Sequence, residues 1–309
     1  MKLFVNRKIR RNPWGGGIHF LSGLVDYLTS TGHTVTNTYD LDVDTILMLD
    51  PRDDEGFGSI NDLIQYRALL KTHGKKFKLV HRINDSDIAR GTNFLESLNI
   101  SANHAIADET VFISEWLQNH YIAKGFLKKS HVIRNGTNLN WFYPPQTKQK
   151  NEKLKVVTHH WSDNYNKGFD AYIHLDKLLD KRKDIEFTYV GRYYKGYTPT
   201  NTKIVHPLYG KELGDELRKH DVYITAARHE ACGMHHIEAA ACGLPILYHK
   251  DGGGINEICK NHGVEFSTVE EIEKSLDNIS KNKEFYSSKI DLSVLDNQTV
   301  YKKYFDILT

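Results

Sequence analysis

Along the first half of the chain, short apolar runs alternate with longer stretches whose apolar residues recur at helical spacing. KLFVN (2–6) predicts a strand, IHFLSGLVDYLTSTG (18–32) a helix, TILML (45–49) a buried strand and NDLIQYRALLKTHG (61–74) a second helix. FKLV (77–80), AIADETVFI (105–113) and HVIR (131–134) continue the strands, and EWLQNHYIAKG (115–125) predicts a helix ended by its glycine. The pattern then breaks at NLNWFYPPQTKQKNEK (138–153), where Pro144 and Pro145 lead into a polar run without periodicity, a linker signal. Alternation restarts with LKVVTHH (154–160), a helix from about Lys167 to Lys181, IEFTYVG (185–191) and TKIV (202–205). A helix near 211–219, DVYITAA (221–227), LPILYHK (244–250) and a helix from about Val269 to Ile279 follow. Strands alternating with helices imply parallel sheets covered on both faces. The restart implies two such domains, 1–145 and 146–296, with TVYKKYFDIL, inside 297–309, as a last helix crossing back to the first.

Composition agrees with two domains: 309 residues, 39% hydrophobic and 26% charged, are more than one small core needs. A formal net charge of +2 is too small to imply a nucleic-acid partner. No apolar run approaches the roughly 18–20 residues of a membrane span, and MKLFVNRKIR lacks the apolar segment of a secretory signal. The expected location is therefore the cytoplasm. Two basic stretches, RKIRR (7–11) and KTHGKKFK (71–78), could touch an anionic membrane surface or simply be solvated loops. Cys232, Cys242 and Cys259 are odd in number and lack C-x-x-C spacing, which points to buried thiols rather than disulfides or zinc.

Four segments carry candidate chemistry. In NPWGGGIHF, Gly15, Gly16 and Gly17 open the first long helix, so the backbone can approach a ligand and the free N–H groups favour an anion such as phosphate. A purely structural tight turn is the alternative, and the segment departs from the dinucleotide G-x-G-x-x-G at Phe20. His81 follows FKLV and would present its imidazole at the strand end facing a ligand crevice, against the alternative of a satisfied surface histidine. In THHWSDNYNKGFD (158–170), Lys167 at a helix start can neutralise a diphosphate. His159, His160 and Asp163 do not suggest a metal, because adjacent strand residues point to opposite faces.

The segment HEACGMHHIEAAACG (229–243) is the most specific. Glu230 lies in the loop after DVYITAA, Glu238 in the second turn of a helix closed by Gly243, and the amides of Gly233 and Met234 lie between them. Carboxylates accept hydrogen bonds from paired hydroxyls, and a helix start favours phosphate. The arrangement matches a ligand with hydroxyl-rich rings on both sides of a phosphate group, and a nucleotide sugar is such a ligand. KDGGGINE (250–257) repeats the pattern of glycine loop and acid with Glu257, or is a turn with a solvated acid.

These residues resemble a GT-B glycosyltransferase of the family 4 type, the group 1 glycosyltransferases, whose mark is two glutamates separated by seven residues. Glu230-Ala-Cys-Gly-Met-His-His-Ile-Glu238 fits that E-x7-E pattern, and EAAACGLPIL and GGGINE fit its continuation. GGG with a helix ending in TGH (15–33), VFISEWL (111–117), VIRNGTN (132–138) followed by FYPP, and NKGFD (166–170) match in the family order. The resemblance implies two Rossmann-like domains facing across a cleft and a nucleotide-diphosphate sugar donor bound mainly by the second. It also implies no metal or other cofactor, and transfer with retention to a carbohydrate or lipid-linked glycan hydroxyl. It assigns Glu230 to the donor sugar, Glu238 to the ribose, and Gly233, Met234, Gly15, Gly16 and Gly17 to the surroundings of the diphosphate opposite Lys167. His81 matches a histidine placed near the sugar. The arginine common six residues before the lysine is Trp161 here, for which Arg192 or His160 could substitute; His235 and His236 replace usually apolar residues, and imidazoles at a helix start could donate to phosphate or sugar, with simple packing as the alternative for His236. A sugar-nucleotide epimerase or hydrolase of the same fold, a non-catalytic sugar-nucleotide or glycan-binding relative and a dinucleotide-dependent oxidoreductase are the competing readings.

Overall fold

The computed structural model describes residues 1–10, 15–147 and 151–309. The chain divides into two compact units, residues 1–135 with 298–309, and residues 136–297.

The first unit contains β1 (Lys2–Val5), α1 (Gly16–Ser30), β2 (Thr34–Thr36), β3 (Thr45–Met48), α2 (Ile60–Thr72), β4 (Lys78–Ile83), α3 (Asp87–Arg90), α4 (Leu95–Ile106), β5 (Glu109–Phe112), α5 (Glu115–Ala123) and β6 (His131–Val132). Its six strands pair in the order β2-β1-β3-β4-β5-β6, all parallel. Alternate residues of each strand serve opposite layers, because successive strand side chains point to opposite faces. Leu3, Val5, Leu47 and Val80 pack with α1, whereas Phe4, Ile46, Met48 and Leu79 pack with α2 and α4.

The second unit contains β7 (Leu154–His160), α6 (Phe169–Leu178), β8 (Ile185–Gly191), β9 (Lys203–Val205), α7 (Gly210–Leu217), β10 (Val222–Thr225), α8 (Met234–Ala241), β11 (Ile246–His249), α9 (Gly254–Cys259), β12 (Gly263–Phe266), α10 (Ile272–Lys281) and α11 (Lys283–Ser288). Its sheet is also wholly parallel, in the order β12-β11-β10-β7-β8-β9. Both units are thus Rossmann-like α/β sheets, in agreement with the fold class read from the sequence. In each, strand order reverses beside the first strand, between β1 and β3 and between β7 and β10. Ligands of such sheets bind beyond the carboxyl ends of the strands at that reversal.

α12 (Asn297–Leu308) starts at the edge of the second unit, and its remaining turns complete the first. Val300, Tyr301, Tyr304 and Leu308 join the core on the α1 side. The Thr45 hydroxyl and the Lys78 ammonium donate to the carbonyls of Leu308 and Ile307, at 2.7 and 2.9 Å. The linker expected over 138–153 is ordered in its first part against the second unit. Phe142 is buried there, Arg218 donates to the Trp141 carbonyl at 2.9 Å, and Thr137 bridges Asp296. Residues 148–150 lie outside the described residues, as do Arg11, Asn12, Pro13 and Trp14 of the basic run and the glycine segment.

The segment around residue 105 departs from the sequence reading. Residues 105–106, expected to open a strand, close α4, and β5 begins only at Glu109. The buried positions of α4 are Leu95, Glu96, Asn99, Ala102, Asn103 and Ile106, a helical spacing half filled by polar residues. Their partners explain the burial: Asn99 donates to the Tyr121 hydroxyl at 3.0 Å and Asn103 to the Thr110 hydroxyl at 2.7 Å. An apolar pattern search passes over such a helix.

Candidate functional site

The strand reversal of the second unit gathers most of the residues singled out from the sequence. Past β7 the chain makes a short turn, Tyr165–Lys167, capped by the Asn164 side chain. It then passes through Gly168 at φ 95° into α6. A Cβ at Gly168 would stand 2.3 Å from the Ala226 Cβ, so only glycine lets this turn lie against the end of β10. The Arg228 N–H donates to the Asn166 carbonyl at 3.0 Å and fastens the two loops together. The result is an ion pair between Lys167 and Glu230, both side chains about a fifth exposed.

Glu230 is held from the other side by the glycine loop after β11. Its N–H donates to the Gly252 carbonyl at 3.2 Å, its carbonyl accepts from the Gly254 N–H at 2.8 Å, and it bridges Gly253. His229, one residue earlier, is held at φ 55°, a left-handed backbone that a non-glycine residue rarely adopts. The segment 250–257 therefore positions Glu230 through its backbone, a function its sequence alone does not reveal.

Gly233 then caps α8 without any side-chain hydrogen bond to the first turn. A Cβ there would meet the His235 ring at 2.6 Å and the Glu230 Cγ at 3.1 Å, so the glycine lets both side chains crowd the helix start. Met234 is half-buried in the first turn. In the second turn, Glu238 Oε2 lies 2.8 Å from His159 Nε2. The end of α8 thus presents free amides with an ion-paired carboxylate before them and a second carboxylate after them.

Four histidines pack beneath this helix start. The His235 and His160 rings lie 4.8 Å apart, His235 and His236 5.2 Å, and His159 and His235 6.3 Å. His235 Nε2 pairs with the Thr225 hydroxyl at 3.0 Å and His160 Nε2 with the Tyr172 hydroxyl at 2.7 Å. Burial, reinforced by their neighbours' positive charge, holds both His160 and His235 well below the ordinary imidazole range. His160 is thus a buried ring tied to α6 through that nitrogen. Arg192 is exposed just past β8, and its guanidinium lies 4.3 Å over the Trp161 ring. The strand register that pairs His160 with Gly191 puts them side by side.

In the first unit, Gly15 caps α1 and Gly16 and Gly17 begin it, with no side-chain cap. A Cβ at Gly17 would lie 3.4 Å from Asn84 Nδ2, so the glycine start of α1 lies beside the end of β4. His81 is corrected by the structure: β4 runs on to Ile83, and His81 is a fully buried interior residue rather than the strand's end. It shares the face of Leu79, where its Nδ1 lies 3.2 Å from the Asn103 amide nitrogen. Burial lowers its pKa to about 3. Arg82, on the opposite face, stacks on Phe20 at 3.9 Å and donates to the Tyr304 hydroxyl and Asn135. The described part of the basic run is paired with acids of the loop after β3: Arg7 with Asp50, Lys8 with Glu55, and Arg10 with Asp54 and Glu55.

Among the described residues no group of three or more His, Cys, Asp or Glu is placed to hold a metal, and no helix is long and apolar enough to cross a membrane. Cys232, Cys242 and Cys259 are buried, and none forms a disulfide among the described residues.

Residues 144–290 match the family described as glycosyl transferases group 1. No curated protein matches the chain significantly. Among solved structures, Anabaena Alr3699/HepE in complex with UDP and glucose superposes with a TM-score of 0.73 at 14% identity, over 99% of this chain and 98% of its own. WaaG, a glycosyltransferase involved in lipopolysaccharide biosynthesis, covers 100% of both chains with a TM-score of 0.69 at 16% identity. A sucrose-phosphate synthase from Thermosynechococcus elongatus gives 0.70 at 13% identity, over 99% of this chain and 98% of its own. At such identities the likeness establishes a shared fold.

Proposed function

From the premise that residues 144–290 carry a group 1 glycosyltransferase domain in a chain of GT-B fold, we propose that the protein moves a sugar from a nucleoside diphosphate sugar to a hydroxyl of a carbohydrate or lipid-linked glycan, with retention at the anomeric carbon. The observation that carries the reading is the sequence of groups across the mouth of α8: Lys167 against Glu230, the uncapped amides after Gly233, then Glu238. A diphosphate suits the amides and Lys167, which stand where charge develops as the phosphate departs. Its sugar lies toward Glu230 and its ribose toward Glu238. HepE, crystallised with UDP and glucose, supports the donor class.

In the reaction so read, the bond between the anomeric carbon and the diphosphate oxygen breaks as the acceptor oxygen bonds to the same face of that carbon. The acceptor proton leaves to the departing diphosphate, and the negative charge is met by Lys167 and the α8 amides. No side chain is required as nucleophile or metal ligand. Arg192, stacked on Trp161, supplies from just past β8 a guanidinium beside the position where the family commonly has one. Before a donor arrives, Lys167 and Glu230 satisfy one another; binding replaces that contact with phosphate and sugar hydroxyls. The work is placed in the cytoplasm, with the exposed lysines of 71–76 as the remaining basic segment able to meet an anionic surface.

Glu230→Gln tests the reading. The substitution keeps size and removes charge, so the unfolding midpoint stays within error while turnover with the protein's donor and acceptor falls about a hundredfold or more. Undiminished turnover by a correctly folded variant would remove Glu230 from the reaction.

A further inference from the structure

Within the site of the proposed function, on which this inference rests, the second glutamate is not left to orient itself. Glu238 and His159 come from different elements, α8 and β7, and meet at 2.8 Å between Oε2 and Nε2 with only 10% and 9% of their side chains exposed. A carboxylate only accepts hydrogen bonds, so the contact requires the proton on His159 Nε2. The ring's other nitrogen, Nδ1, is buried and without a partner among the described residues. The imidazole therefore has one polar contact, and that contact is Glu238. The backbone holds the ring in place: the Tyr223 hydroxyl accepts from the His159 N–H at 3.2 Å and donates to its carbonyl at 3.3 Å. The Tyr223 ring lies edge-on at 5.5 Å.

A carboxylate fixed through one oxygen offers the other, with a remaining lone pair of the first, in a single direction. That is the requirement for meeting two neighbouring hydroxyls. We propose that His159 is a positioning residue that aims Glu238 at the 2′- and 3′-hydroxyls of the donor ribose, so that this pair selects ribonucleoside diphosphates over their 2′-deoxy counterparts. A 2′-deoxy ligand leaves a buried carboxylate oxygen without its hydrogen bond and is disfavoured for that reason. Without His159 the carboxylate turns freely, and both ligands meet it equally poorly.

The test is calorimetric titration of the full chain with UDP, GDP and ADP and with the 2′-deoxy form of each, for wild type, His159→Leu and His159→Gln. For the base that binds, wild type prefers the ribonucleotide by about tenfold or more. His159→Leu narrows the preference to within about threefold by weakening the ribonucleotide alone, and His159→Gln, whose amide can still donate to Glu238, recovers part of it. Thermal melting checks the fold of both, and His159→Gln carries the comparison if the leucine variant does not fold. An unchanged preference in a folded variant, or none in wild type, overturns the role of His159 while leaving the donor site standing. Failure of all three ribonucleotides to bind wild type overturns the donor site itself, and this inference with it.

Discussion

Gly168 and His236 show two ways in which single residues set the behaviour of the candidate site. At Gly168 the backbone is left-handed and the space for a side chain is already filled by Ala226. Gly168→Ala adds unfavourable φ to overlap, so it should destabilise the second unit by about 2–3 kcal/mol. It should also weaken nucleotide binding, because the loop that carries Lys167 to Glu230 can no longer close on β10. Urea unfolding and nucleotide titration of the variant measure both, and a midpoint equal to wild type would contradict the packing. His236 is buried with both ring nitrogens unpartnered among the described residues, and burial, then His262, lowers its pKa to about 3. Burial likewise lowers His262 to about 4. An unfolded histidine titrates near about 6.5, so the unfolded chain binds protons that these folded rings refuse. Their contribution is fully present above about pH 6.5 and is lost as pH falls toward 4 and 3, at about 1.4 kcal/mol per pH unit for each ring. His236→Leu should therefore flatten the acid limb of stability by one proton and, by removing unpaired nitrogens, leave stability at pH 7 equal or higher. Proton uptake on unfolding, followed by denaturation from pH 7 to 4.5, checks it; an unaltered slope would show that His236 does not supply that proton.

Among the elements, what could be read from the sequence depended on what each buries. β1, β3, β7, β8 and β10 carry apolar residues on both faces and were legible as strands. α8 was legible from the glycine before it, the glycine after it and the apolar run between. α4 was not, because Glu96, Asn99 and Asn103 occupy its buried side and find their partners on other elements. His81 was misplaced for the related reason that FKLV ceases to be apolar at the point where β4 continues. His81 and Arg82 each extend the strand because the two faces supply Asn103 and Tyr304. The loop 250–254 was recognised as a second glycine segment, but its hydrogen bonds to Glu230 join residues more than twenty positions apart and leave no local signature.

For the chain as an assembly of two units, α12 is the element with most at stake. It contributes Val300, Tyr301, Tyr304 and Leu308 to the first unit, although the second unit separates it in sequence from the rest. The Tyr301 ring fills the space at Gly23, where a Cβ would come within 1.9 Å of its hydroxyl, and Tyr304 holds Arg82. Removing residues 298–309 leaves a buried guanidinium without one of its partners and opens an apolar face. The truncated chain should lose the cooperative unfolding of residues 1–135 while residues 136–297 keep their own transition. Calorimetry and limited proteolysis separate the cases, and survival of both transitions would show that α12 is dispensable.

The order of apolar runs, the proline break and the spacing of glycines and acids determined by themselves that this is a chain of two parallel α/β sheets with a glycine-led helix start between Glu230 and Glu238. Those are local properties, written in residues a few positions apart. Only the tertiary structure decided that Lys167 meets Glu230, that His159 meets Glu238, that Arg192 lies on Trp161 and that His81 is enclosed. Each of these contacts joins separate strands or loops. A buried polar side chain is settled by whichever partner the fold brings within hydrogen-bonding distance, and sequence spacing does not record that distance.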